Sequence, residues 1–171
     1  MKQTNKKGFT LIEILVVVLI IGILAAIAVP QYKKAVAKAD LHKGVSLVES
    51  IYQAQQAYYL AHGDYAIDID DLDVSIPKDS SCTKTQVTGA SFYKCDYGAI
   101  GFWDGIANVQ YQTKDGNLGY LHFLKDMTIF EAGKRYCYAD SATAAEVCKN
   151  LGGEKINDGN GGWRFGLYKL Q

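Results

Sequence analysis

One acidic side chain stands in an otherwise apolar run near the amino terminus. Glu13 is the only charged residue among the 21 residues at positions 9–29. At about 1.5 Å per helical residue, such a run spans the roughly 30 Å hydrocarbon core of a bilayer. A charge near the centre of a membrane helix costs about 2.5–3.5 kcal/mol on insertion scales, although the first turn of a helix favours an anion. The pattern predicts that Glu13 meets a cationic partner in the working protein.

Four cysteines, all downstream of the apolar run, form a second group with recognisable chemistry. An even number confined to the part that would be exported predicts two disulfides in an oxidising compartment. Three pairings are open, and we favour Cys82–Cys95 with Cys137–Cys148 because each closes a short local loop. Zinc binding is disfavoured, since no C-x-x-C spacing exists and the histidines are scattered.

A run of aspartates follows at positions 63–77. Alternating acids could supply the several oxygen ligands that Ca²⁺ requires. The glycine and distal glutamate of an EF-hand loop are missing, however, and aliphatic residues interleave with the acids. We therefore favour a solvated connector with a short helical turn at 70–72, and calcium remains an alternative. The acids are Asp64, Asp68, Asp70, Asp71 and Asp73.

No arrangement of residues in the sequence suggests catalysis or a cofactor. His42, His62 and His122 have no serine or cysteine nucleophile nearby in the sequence, and the cysteines are expected to be paired. A P-loop, a GxGxxG motif and an H-E-x-x-H motif are all missing from the sequence. A formal net charge of zero argues against a dominant electrostatic role in nucleic-acid binding. The sequence favours a protein that is not an enzyme.

The elements that would position Glu13 begin with a basic leader. Its lysines, Lys2, Lys6 and Lys7, would hold the amino terminus in the cytoplasm by the positive-inside rule. A secretory signal peptide would have a shorter apolar core and a small-residue cleavage site, which this sequence does not supply. A plain signal anchor fits the length but leaves the glycine before Phe9 unexplained.

The letters KKGFTLIE at positions 6–13, followed by the apolar run and Pro30, resemble the class III signal of type IV pilins and pseudopilins. The resemblance is close over residues 1–39, and the leader of residues 1–8 is similar to those of the type IVa branch. It implies that a prepilin peptidase cuts between Gly8 and Phe9 and that Phe9 becomes N-methylated. It also implies that Glu13 pairs with the methylated amine of a neighbouring subunit, which would fix axial register.

The function implied by the resemblance is that of a structural subunit of a type IV pilus, a homo-oligomeric helical filament. The subunit would wait in the inner membrane with its head outside the cytoplasm. An assembly platform and an ATPase would then move it into a pilus at the cell surface, where adhesion and motility are family roles. Without the leader the net charge becomes −3, from 15 basic and 18 acidic residues. Alternatives are a type II secretion pseudopilin, a minor pilin that binds DNA or a surface, and a membrane-anchored exported enzyme.

The predicted fold is α+β, a long bent N-terminal helix packed on an antiparallel sheet, as in pilins. The membrane helix at 9–29 continues as an amphipathic helix at 30–62, with kinks at Gly22 and Pro30 and a C-cap at Gly63. A connecting loop at 63–90 leads to the sheet and the disulfide-bounded region at 91–171.

Within the head, the sequence predicts strands at 91–97, 106–113, 118–124, 134–138 and 163–170. An Asp-Gly turn at 115–116 predicts a hairpin, and a capping box at Thr143–Glu146 predicts a short helix. A glycine-rich turn is expected at 159–162. The apolar stripe of the long helix is predicted to comprise Val36, Leu41, Val45, Val48, Tyr52 and Tyr59, with Leu47, Ile51 and Tyr58 beside them.

Overall fold

A single long helix organises the molecule. The computed structural model describes residues 8–77, 81–87, 90–103, 108–127, 129–157 and 165–171. Helix α1 comprises Leu11–His62, 52 residues, which is about 78 Å at 1.5 Å per residue. It continues through Pro30 as predicted, whereas the bends at Gly22 and Pro30 remain predictions. The helix ends at Gly63, whose φ of 81° lies in the left-handed region and whose N–H donates to the Tyr59 carbonyl at 2.8 Å.

An eight-stranded antiparallel sheet packs against the second half of α1, which confirms the predicted α+β architecture. The strand order is β1-β2-β3-β4-β5-β6-β8-β7. A short 3₁₀ turn at Ile69–Asp71 precedes the sheet, close to the turn predicted at 70–72. The elements of the head are β1 (Thr83–Val87), β2 (Ala90–Cys95), β3 (Gly98–Trp103), β4 (Asn108–Thr113), β5 (Leu118–Phe123), β6 (Arg135–Ala139), α2 (Ala142–Asn150), β7 (Glu154–Asn157) and β8 (Gly166–Lys169).

Several predicted boundaries in the head are wrong. Strands β1, β3 and β7 were not predicted, and β1 lies inside the segment assigned to the connecting loop. The two edge strands, β1 and β7, are short and polar, and β3 contains two glycines, so none shows the alternating apolar pattern of a strand. Helix α2 is capped by Ser141, which accepts the Ala144 N–H, and not by Thr143. The turn at 159–162 and the start of the last predicted strand at Trp163 lie outside the described residues.

The head buries a narrower stripe of α1 than its apolar residues suggest. The buried positions follow helical spacing along the middle of α1: Leu41, Gly44, Val48, Ile51 and Gln55. Val36 and Tyr59 are each 41% exposed, so the predicted stripe is wrong at both ends. The buried set instead includes a glycine and a glutamine. Gly44 is required by close approach, since a Cβ there would lie 1.9 Å from the Tyr111 ring.

The opposite face of the sheet carries a second, smaller core. It consists of Leu121, Phe123, Tyr136, Tyr138 and Leu167, with Phe130 packed against them. Phe130 belongs to the segment after β5, which folds back so that its ring stacks on Phe123 with centroids 4.1 Å apart. The sheet is therefore covered on both faces near β5 and β6, and the head has a closed interior of its own.

Candidate functional site

The amino-terminal part of α1, up to Val29, is not buried by the head. The large apolar side chains of residues 9–29, which we call the apolar segment, are between 49% and 83% exposed. Among the described residues, α1 is the helix that is long and apolar enough to cross a membrane. An exposed apolar surface of this extent marks contact with lipid or protein. What covers the apolar segment must therefore come from outside this chain.

Glu13 lies in the first turn of α1, where it closes a capping box with Thr10. The Glu13 N–H donates to Thr10 Oγ1 at 3.3 Å, and Glu13 Oε2 accepts from the Thr10 N–H and hydroxyl, each at 2.7 Å. The carboxylate thus satisfies a backbone donor that an uncapped helix leaves free. The spacing T-x-x-E at positions 10–13 is the signal in the sequence for this cap, which our sequence reasoning overlooked.

The cap holds the carboxylate in place and leaves part of it available. Both described hydrogen bonds of the Glu13 carboxylate use Oε2, so Oε1 has no partner among the described residues. Gly8 and Phe9 are exposed, and a Cβ added to Gly8 would meet nothing within 4 Å. The structure brings together an accessible Gly8–Phe9 bond, a helix start and an oriented anion within six residues.

A family model described as the prokaryotic N-terminal methylation motif matches residues 3–29. The chain is 45% identical over 63 residues to a fimbrial protein of Neisseria meningitidis serogroup B (strain ATCC BAA-335 / MC58), covering 37% of each chain. It is 46% identical over 61 residues to the type IV major pilin protein PilE1 of Neisseria gonorrhoeae, covering 36% of this chain and 37% of that one. Over about a third of its length, the chain is thus similar to type IV pilins and fimbrial proteins.

The likeness to known pilins is confined to one part of the molecule. A fimbrial protein of Pseudomonas aeruginosa is 49% identical over 55 residues, covering 32% of this chain and 36% of the relative. The matches thus span little more than a third of the length of the relatives. No solved structure matches the chain.

Both disulfides of the head have the favoured pairing. Cys82–Cys95 joins the residue just before β1 to the last residue of β2, and Cys137–Cys148 joins β6 to α2. The sequence separations are 13 and 11 residues. Both sulfurs of the second bridge belong to fully buried residues, so this bridge fastens α2 to the interior of the head.

Two of the loop aspartates bind a lysine of the head. The Lys84 ammonium on β1 donates to Asp68 Oδ2 and to Asp70 Oδ2, each at 2.7 Å. The hydrogen bond from Lys84 lowers the pKa of Asp68, and the two carboxylates raise the pKa of Lys84. In the described part of the chain, no three His, Cys, Asp or Glu residues are grouped to hold a metal ion. The sequence could not reveal Lys84, because its strand was not predicted.

A partly buried polar cluster fastens α1 to β5. The Tyr120 hydroxyl donates to Glu49 Oε1 at 2.5 Å, and His122 Nδ1 lies 3.2 Å from Glu49 Oε2 without an aligned hydrogen bond. The Tyr52 ring stacks on His122 with centroids 3.6 Å apart. Burial lowers the pKa of His122, against the opposing effect of the Glu49 carboxylate. His42 and His62 lie on exposed positions of α1, so the three histidines are not brought together.

Proposed function

We propose that this protein is the precursor of a structural subunit of a type IV pilus and polymerises through its apolar segment. The observation that supports the proposal best is the exposed apolar segment, with Glu13 at its start, joined to a head whose core is already closed. The relatives are named fimbrial protein and type IV major pilin, which favours a pilus subunit over a secretion pseudopilin. The proposed role is structural, with no catalytic step of its own.

The first step of the proposed pathway is processing at the amino terminus. A prepilin peptidase would cut between Gly8 and Phe9 and leave N-methylphenylalanine as the first residue of the mature subunit. The exposed bond supports this step, because a membrane peptidase needs access to it. Mass spectrometry of the protein from its own cells tests the proposal, with an N-terminal methylated Phe9 as the expected result. An intact leader in assembled filaments would refute it.

The second step is pairing of Glu13 with the methylated amine of a neighbouring copy. Packed apolar helices form a medium of low dielectric, where an unpaired carboxylate is unfavourable and a matched ammonium is strongly preferred. The capping box supports this role, since Thr10 orients Glu13 through Oε2 and leaves Oε1 for the partner. When the apolar segment moves from lipid into a bundle of helices, it passes from one apolar environment to another and gains little hydrophobic free energy. The Glu13–amine pair would therefore set the axial register between neighbouring subunits.

Glu13→Ala tests this pairing. We expect the variant to be cut and to remain in the membrane, with pilus number by electron microscopy reduced at least about ten-fold. Thr10→Val is the matched control, because it removes the side-chain half of the cap and retains the carboxylate. Normal pili from the Glu13→Ala chain would overturn the proposed pairing. Loss of pili in Thr10→Val alone would show that the cap, and not the charge, is required.

The proposed location changes during assembly. The subunit would wait in the inner membrane as a single-pass protein with its head outside the cytoplasm, where the two disulfides form. A pilus assembly platform and its ATPase would supply the work of extraction. In a strain without the ATPase, we expect the mature subunit to accumulate in the inner-membrane fraction and to be absent from sheared surface filaments.

A further inference from the structure

A short basic stretch of α1 separates the apolar segment from the part that the head buries. Residues 30–39, which we call the neck, contain three lysines and no acid. The first residue of α1 that the head buries is Leu41. The neck is therefore the part of α1 that would emerge from the membrane before the head begins.

The position of each neck side chain along the bilayer normal follows from the helical rise. Lys33 lies four residues beyond Val29, or about 6 Å, and Lys38 lies nine residues beyond it, or about 13 Å. The polar layer on each side of the hydrocarbon core is about 5–7 Å thick. Tyr32 and Lys33 would thus lie among the headgroups, and Lys38 about one Debye length, roughly 8 Å, above them.

Three of the neck side chains are accessible to a surface. Tyr32 is 70% exposed, and Lys33 and Lys38 are exposed. Neither ammonium has a carboxylate partner in the described part of the chain.

The third neck lysine and the nearest acid are already engaged. Lys34 forms a salt bridge with Glu146 of α2, which ties the underside of the head to the neck. Asp40, the next acid along α1, lies 3.1 Å from the Lys43 ammonium. Among the described residues, the neck lysines without a carboxylate partner are therefore Lys33 and Lys38, which lie at two different heights along the bilayer normal.

We propose that the neck binds anionic phospholipid headgroups of the outer leaflet of the membrane in which the subunit waits. The proposal rests on the proposed function, since it needs the apolar segment in a bilayer. Tyrosine prefers the interface because it has an apolar body and a polar tip. A lysine can keep its apolar stem near the acyl chains while its ammonium meets phosphate, and each lysine at an anionic surface gains about 1 kcal/mol. Lys33 is the main contact, and Lys38 adds a weaker, screened attraction.

This contact has a consequence for processing and assembly. The leader lysines, Lys2, Lys6 and Lys7, leave with the leader, so the mature subunit has its membrane-proximal lysines only on the side of the head. Anionic lipid would then hold the head close to the bilayer surface. Extraction into a filament would have to break these contacts, and the lipid composition would affect how readily subunits leave the membrane.

Spin-labelled lipids can measure this preference directly. The processed full-length protein is reconstituted in phosphatidylcholine bilayers that contain a trace of spin-labelled phosphatidylglycerol or phosphatidylcholine. Electron paramagnetic resonance then gives the share of each lipid that the protein immobilises. We expect a several-fold preference for phosphatidylglycerol at low salt, with about five-fold as the scale for one lysine at the surface. The preference should approach one in 1 M NaCl, where the Debye length is about 3 Å.

Lysine variants test whether the lipid preference depends on the distance of each lysine from the bilayer. They also test whether it depends on the neck lysines or only on the total charge of the protein. Lys33→Gln should remove most of the preference, Lys38→Gln less, and the double variant nearly all. Glu146→Gln should increase the preference because it frees Lys34. The matched control is the double variant Lys94→Gln and Lys155→Gln, which removes two exposed lysines of the head and should leave the preference unchanged.

Two results would overturn the proposal. One is equal immobilisation of both lipids by the unmodified protein at low salt. The other is an unchanged preference in the double neck variant, and if that variant also fails to form pili, the lysines contact another copy of the chain instead. A retained lipid preference in a protein that forms no filaments in its own cells would refute the pilus function and leave the lipid contact intact.

Discussion

The two halves of α1 have the same backbone and opposite relations to the rest of the protein. In the apolar segment every large side chain is exposed, whereas further along the helix Leu41, Val48 and Ile51 are buried by the sheet. The half with more apolar residues is thus the one that the chain leaves uncovered. The hydrophobicity of a helix surface shows that this surface must be buried. The spacing of its apolar residues along the helix indicates whether the covering partner belongs to the same molecule. The second half has one narrow stripe, whereas the first is apolar on all sides.

Small and polar residues also distinguish the half of α1 that the head buries from the apolar segment. Gly44 admits the Tyr111 ring, and Gln55 bonds to both backbone groups of Ala66, at 2.9 and 3.0 Å. These contacts fit one particular surface, that of the head. In the apolar segment, a Cβ added to Gly22 would meet nothing within 4 Å, so no comparable fit exists within the chain. Variants at equivalent residues of the two halves should therefore separate folding from assembly.

The largest expected effect comes from paired isoleucines. Ile51 is fully buried against the sheet, and Ile20 is half exposed in the apolar segment. Ile51→Ala should lower the free energy of unfolding of the head by about 2–5 kcal/mol, because it removes buried methyl groups and leaves a cavity. Ile20→Ala should leave it unchanged within about 0.5 kcal/mol. Urea unfolding of the full-length protein in detergent micelles, followed by aromatic fluorescence, measures both. Equal losses would contradict the division of α1 into two halves.

A smaller effect is expected from paired glycines. Gly44→Ala places a methyl group into the Tyr111 ring, and relieving that clash should cost about 1–3 kcal/mol in the same unfolding measurement. Gly22→Ala meets no neighbour and should raise helix stability by up to about 1 kcal/mol, since alanine favours the helix. The two substitutions are chemically identical. Opposite signs would support close packing at Gly44 as the cause, and destabilisation of the head by Gly22→Ala would argue against it.

What the sequence predicts well is what depends on neighbours along the chain. The run KKGFTLIE, the length of the apolar segment and the glycine cap of α1 are all local, and both disulfides close loops of 11 or 13 residues. What it predicts poorly depends on partners that are distant in sequence. Edge strands β1 and β7 are recognisable only through the strands they pair with. The burial of Gln55 likewise depends on where the chain runs after Gly63. The Thr10–Glu13 cap is an exception, because the T-x-x-E pattern is local and yet the cap was not predicted. Glu13 was interpreted only as a charge in an apolar segment.

The smallest expected effect is a loss of stability at acidic pH, and it concerns the head. The Lys84 ammonium lowers the pKa of Asp68 below its ordinary value of 3.8. The unfolded chain therefore takes up a proton at a higher pH than the folded one. This contribution to stability is complete above about pH 5, begins to decline near pH 4 and is lost as the pH falls through the lowered pKa of the folded state. Unfolding between pH 6 and pH 3 should show a shallower loss in Lys84→Met than in the unmodified protein.

The control for this acid effect is Asp73→Asn, which alters an exposed carboxylate of the same loop and should retain the original slope. If the stability of Lys84→Met falls with pH as steeply as that of the unmodified protein, this ion pair is not the cause of the acid sensitivity. Because Asp68 and Asp70 fasten the connecting loop to β1, loss of the pair should loosen that loop first. As the pH is lowered from 4 to 3, hydrogen exchange should then rise around Ile69–Asp71 while the buried middle of α1 stays protected. Early exchange in α1 would instead show that acid acts on the helix and sheet together.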